Sequence, residues 1–165
     1  MDAVHFHLLI THLPVFASVL GALVLSYGMI SNSRETRIAA YFLLALSAAG
    51  AMASNISGEE AEHAVEDLPG VLESLIEEHE ESVSLVLWML IPCGLFSLLG
   101  MWASLKKPEL EKRLSYLALG LSLVGFLATA RTAWLGGQIR HTEIRTSAPA
   151  SDGLEQEEGS EDEDK

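Results

Sequence analysis

The chain has 165 residues, enough for one domain, and 49% of them are apolar. Its formal net charge of −13 comes from 23 acids against 10 Lys and Arg, with no basic stripe, so nucleic acid is excluded as a partner. The single cysteine, Cys93, stands in an apolar block, which rules out an internal disulfide, a CxxC metal motif and covalent c-type haem attachment.

The apolar residues fall into four blocks, 7–30, 38–56, 83–105 and 114–137, each 19 to 24 residues long. A spanning helix needs about 17–25 residues, so each block can cross a bilayer, and none alternates as a barrel strand would. We expect an all-α fold, a four-helix transmembrane bundle over residues 1–145, followed by a disordered acidic tail at 146–165. A soluble bundle with very apolar helices is the competing architecture. The first block lacks a basic leading region, its first charge being Asp2, and reads as a retained helix rather than a cleaved signal.

The first helix carries Pro14 in its early turns, a place where membrane helices tolerate proline. Residues 31–37 (SNSRETR) then form a short basic loop. In the second helix Ala45, Ala49 and Ala53 make a row of small residues suited to close helix contact, and Ser57–Gly58 ends it. Ten acids lie within residues 59–81, which read as an extra amphipathic segment outside the hydrocarbon, broken into two short helices at Pro69–Gly70. In the second of these, Leu68, Leu72, Leu75, Ile76, His79 and Val83 share one face, so His79 turns inward. The third helix contains Pro92 and is expected to kink there. Residues 106–113 (KKPELEKR) form a second basic loop, and the fourth helix carries Gly120, Gly125, Arg131 and Gly136–Gly137.

The two basic loops hold six of the Lys and Arg residues, which places that side in the cytoplasm. Both termini, the 59–81 segment and all six histidines then fall on the external, periplasmic side of the cytoplasmic membrane. Histidine inside a membrane helix is costly unless something binds it. Two neutral imidazoles from facing helices are what a six-coordinate haem iron needs. His12, roughly 9 Å deeper than Phe6 by helical rise, and His79 at the mouth of the third helix are the expected pair. His7 and His12 point about 140° apart around the helix, so a second haem would use His7 with His63 or His141. Arg131 needs an anion, either a haem propionate or a glutamate of the acidic segment.

Simpler readings exist for several of these residues. His5 suits the membrane interface, His63 suits solvent beside Glu59, Glu60 and Asp67, and His141 follows a glycine pair in water-accessible chain. Non-haem zinc, copper or iron is the alternative cofactor, because Glu60 and His63 have the spacing of one ligand pair in a di-iron bundle, although that site needs the pair twice. A third reading is a structural membrane subunit whose acidic face docks a basic soluble redox protein such as a cytochrome c. The sequence contains no HExxH and no nucleophile elbow, so an electron carrier or redox subunit is preferred to a hydrolase.

The HLLITHLP stretch at 7–14, Gly58 after the second helix, His79 before the third and Gly136–Gly137–Gln138–Ile139 after the fourth together resemble a known family. It is the small bacterial four-helix "predicted membrane protein" domain of unknown function, which opens on a His-x4-His-x-Pro motif. The resemblance runs from residue 5 to about 143. It implies redox work with haem b, since members occur fused to Rieske iron–sulfur or c-type cytochrome modules. The chain departs from the family at its end: in place of a Tyr followed by His-Gly it has His141, Glu143 and Ile144, so no family role is carried over there. The expectation is a membrane electron-transfer protein with one or two b-type haems near the external face. It would stand between a membrane electron donor and a basic soluble acceptor, an arrangement compatible with a homo-oligomer.

Overall fold

The computed structural model describes residues 3–65, 68–141, 144 and 145. It is all-helical: α1 (Ala3–Ile10), α2 (His12–Ile30), α3 (Arg34–His63), α4 (Glu73–Ala103) and α5 (Pro108–Arg140). The first two helices are one span interrupted at Thr11. Pro14 has no N–H to offer the Ile10 carbonyl, and the Leu8 carbonyl accepts the Thr11 hydroxyl at 3.0 Å and His12 Nδ1 at 2.7 Å. Four spans result, Val4–Ile30, Arg34–His63, Glu73–Ala103 and Pro108–Ile139, each long and apolar enough to cross a membrane. α2, α3, α4 and α5 pack each on the next, α5 closes the ring on α2, and α1 lies against α3.

Sorting of side chains identifies the solvent. Fully enclosed positions include Ser18, Ser47, Ser97, Ser122, Ala40, Ala103 and Ala118, whereas Leu23, Tyr27, Phe42, Trp88 and Leu127 all face outward. Leu25, Tyr41, Leu44, Leu90 and Leu135 are enclosed with them, but so many large apolar side chains left outward suit lipid, where helices associate through small residues. Of the enclosed serine hydroxyls, Ser122 returns to the Leu119 carbonyl and Ser47 reaches across to Pro14 on α2, while Ser97 Oγ has no partner among the described residues. Tyr27, Trp102 and Tyr116, all exposed, ring the end at which α2 and α4 finish, with Lys107 Nζ 5.4 Å from the Trp102 ring centre. Aromatic side chains gather at that depth because their rings are amphipathic.

The α3–α4 seam is set by Gly94. A Cβ there would stand 2.5 Å from Ala48 Cβ, a rigid atom that cannot swing away. Ala48 and Ala51 are therefore the buried small residues of this seam, while Ala49, expected in the packing row, is exposed. Gly94→Val should cost about 1–3 kcal/mol by overpacking, read as an earlier unfolding transition of the purified protein in detergent.

Two sequence expectations change. The 59–81 stretch does not form separate short helices: residues up to His63 continue α3, and α4 begins at Glu73. Glutamate is a good helix former, so both helices run on past their apolar cores. Pro69–Gly70 instead lies in the connecting turn, with Gly70 at φ 83°, and Leu68 and Leu72 are exposed there while Ile76 is buried. The basic loops also shorten. Ser33 caps α3 through its hydroxyl to Thr36 N at 3.3 Å, and Pro108 occupies the first turn of α5. α4 passes through Pro92 without ending. Asp67 and the 146–165 tail, where disorder is expected, lie outside the described residues.

Candidate functional site

The start of α1, the end of α3, the start of α4 and the end of α5 meet at one end of the bundle, and this end carries His7 and His79. His7, half-buried, places Nδ1 3.0 Å from Ser57 Oγ on α3. Ser57 directs its one hydroxyl hydrogen to the Ser54 carbonyl at 3.1 Å, so it accepts from His7 Nδ1–H. His79, also half-buried, donates Nδ1–H to the Thr132 carbonyl on α5 at 3.1 Å, since a carbonyl can only accept. Below it Ser82 and Thr132 share a hydroxyl contact between α4 and α5. Both imidazoles are thus tied at Nδ1, which leaves the lone pair on Nε2.

Glycine makes room for both rings. A Cβ at Gly136 would stand 3.0 Å from His79 Cε1, and one at Gly58 would stand 3.5 Å from His7 Cε1. Each imidazole therefore lies directly on a neighbouring helix backbone. One turn along α3 from Ser57, the Ser54 hydroxyl is buried and has no partner among the described residues.

The other expected site residues are placed as follows. His12 does not meet His79: it is exposed, its Nδ1 is bonded to Leu8 in the preceding turn, and its ring stacks on Phe16. His7, on the turn of α1 that faces α3, is the one of the two tied across to that helix. His63 ends α3 exposed, and His141 caps α5 exposed. Arg131 finds its anion in Glu78 at 3.0 Å, with both side chains about half exposed. An exposed pair of this kind contributes about 0–1 kcal/mol, so Arg131→Ala should leave the unfolding midpoint nearly unchanged in a thermal melt. Arg145 donates to the carbonyls of Gln138 and Ile139 and to Gly70, tying the end of α5 to the α3–α4 turn.

Sequence reasoning passed over a second polar centre, at the opposite end. Arg37 Nε stands 2.7 Å from Glu111 Oε1, with the two side chains 14% and 5% exposed. Tyr41 donates its hydroxyl to the same carboxylate oxygen at 2.9 Å and lies 2.6 Å from Ser115 Oγ. Arg37 Nη1 also donates to the Gly28 carbonyl at 3.3 Å, at the negative end of α2. A Cβ at Gly100 would stand 2.7 Å from Tyr41 Cζ, so α4 too closes on this centre. It ties all four spans together at one level.

The fold defines a class: a bundle of four helical spans, each long and apolar enough to cross a membrane, with His7 and His79 at one end. Within that class, no protein-family model, no curated protein and no solved structure matches this chain.

Proposed function

We propose that the chain is a membrane electron-transfer protein in which His7 and His79 would hold a b-type haem through their imidazoles. The observation that carries this reading is the pair itself: two imidazoles from different spans, both fixed at Nδ1, both presenting an Nε2 lone pair. Iron in haem needs two protein ligands because the macrocycle supplies the rest. A bare zinc or copper ion wants about three or four donors, and among the described residues no group of three or more metal-capable side chains gathers. The donor set therefore fits haem better than a bare ion.

Bound there, the haem would supply a one-electron couple. The chain's own residues do the remaining work. Ser57 and the Thr132 carbonyl orient the imidazoles and raise their basicity, and the surrounding apolar helices keep water away. The pocket faces the external side, because six basic residues crowd the turns at the other end. Arg131, beside Glu78 at the rim, is positioned to trade that carboxylate for a propionate. The exposed glutamates at 59–60 and 77–81 give this end an acidic exterior that steers a basic soluble redox protein. Raising ionic strength from about 0.01 to 0.15 M shortens the screening length roughly fourfold, and electron transfer to a basic partner should slow with it in stopped-flow measurements.

The optical spectrum of protein purified with haem supplied tests the reading, with sharp reduced α and β bands expected. Ser57→Ala removes only the outer partner of His7 and should weaken haem retention about 10–100-fold, measured by transfer to an excess of apo-myoglobin. Colourless protein holding stoichiometric zinc or copper would reject the haem assignment.

A further inference from the structure

His12 plays no part in that pocket, yet it sits at hydrocarbon depth. Its neighbours Leu13 and Pro14 pack on Gly50, where a Cβ would stand 3.0 Å from Leu13 Cγ and 3.1 Å from Pro14 Cδ. Gly50 lies six residues before Ile56, the last residue of that apolar block. His12 is therefore about 9 Å inside the boundary by helical rise. Around it Leu8, Leu9 and Phe16 are 56%, 64% and 58% exposed, so its surroundings are lipid-facing. The ring makes two contacts, Nδ1–H to the Leu8 carbonyl and a near-parallel stack on Phe16, with centroids 6.3 Å apart and planes 11° apart. The Nδ1 bond fixes the tautomer and leaves the Nε2 lone pair turned to a medium that cannot hydrogen-bond it.

We infer that His12 Nε2 accepts a hydrogen bond from the hydroxyl of a lipid-dissolved hydroquinone, which docks on the outer face of α1 and α2. The ligand reaches this site through hydrocarbon, so it is lipid-soluble. It carries an O–H, because the free atom is an acceptor. It has a flat ring, because the site already presents two nearly coplanar ones. Choosing a hydroquinone among such molecules rests on the electron-transfer reading, for which it is the membrane donor. His12 follows His7 by five residues, about 7.5 Å of helical rise, within the same span.

The test uses the full chain in phosphatidylcholine vesicles, with 15N-labelled histidine and a short-tailed alkyl hydroquinone as titrant. The corresponding dimethyl ether, which cannot donate, serves as control. The His12 Nε2 resonance, assigned by its loss in His12→Phe, should shift saturably with the hydroquinone and stay fixed with the ether. Hydroquinone affinity, read by quenching of tryptophan fluorescence, should fall at least tenfold in His12→Phe. Absence of a saturable shift, or an equal shift with the ether, overturns the proposal. So does conversion of a dimer to a monomer by His12→Phe without hydroquinone binding, which would assign the lone pair to a second copy of the chain. None of these readouts needs haem. Hydroquinone binding by a protein that takes no haem rejects the axial-ligand reading alone, whereas haem uptake without hydroquinone binding rejects this one alone.

Discussion

Replacing either His7 or His79 by alanine should abolish the low-spin reduced spectrum, while His12→Ala should retain it. Loss of an outer hydrogen-bond partner costs about 10–100-fold in affinity, and loss of a ligand must cost more. The contrast between His7 and His12 is the informative part. Both belong to the same motif and to adjoining helices. Only His7 is tied across to α3, through Ser57 at 3.0 Å, whereas His12 is bonded within its own helix. Haem content per chain and the sharpness of the reduced α band read the outcome, and the unfolding midpoint of each variant shows whether the bundle survives. Retention of the bands in His7→Ala, with loss in His12→Ala, would restore the pairing of His12 with His79 expected from the sequence.

Breaking the opposite centre should have the largest effect on stability. Arg37→Met leaves Glu111 buried with its charge uncompensated, and removal of one partner of a buried pair costs about 3–5 kcal/mol. Tyr41 still donates to the carboxylate at 2.9 Å, which places the loss toward the lower end of that range. Replacing both partners, in Arg37→Met/Glu111→Met, should recover most of it, because an apolar pair of similar volume carries no desolvation cost. Denaturant titration in mixed micelles measures both variants. A single substitution costing under about 1 kcal/mol would show the pair to be solvated, against its burial. The centre lies at the far end of the bundle from His7 and His79, so haem content should be unchanged wherever the variant remains folded.

The bundle was legible in the sequence because lipid imposes a coarse rule: every span needs a long apolar run, and four such runs stand between charged breaks. Helix ends were less legible for the same reason. Residues 59–63 and 73–82 are acidic, so composition separates them from the apolar cores, yet the backbone of α3 and α4 continues through them. His79 could be placed by its spacing to Ile76. The setting of His7 could not, because the direction it faces depends on the interruption at Thr11 and on Ser57 from a distant part of the chain. The nearest sequence signal was the Ser57–Gly58 pair, a hydroxyl beside a position without a side chain. Gly136 signals the seat of His79 in the same way. The Arg37–Glu111 centre was missed because both residues fall in stretches that read as basic loops. Its signature is a four-residue spacing repeated on two helices, Arg37 with Tyr41 and Glu111 with Ser115, which puts each pair on one face.

Low-temperature electron paramagnetic resonance of the oxidised, haem-supplied wild-type protein bears most directly on the two-imidazole pocket. A low-spin ferric signal with the g-values of two nitrogen ligands, at one iron per chain, is the result this arrangement predicts. A purely high-spin signal, a low-spin signal that persists when His7 and His79 are both alanine, or no iron at all would contradict it.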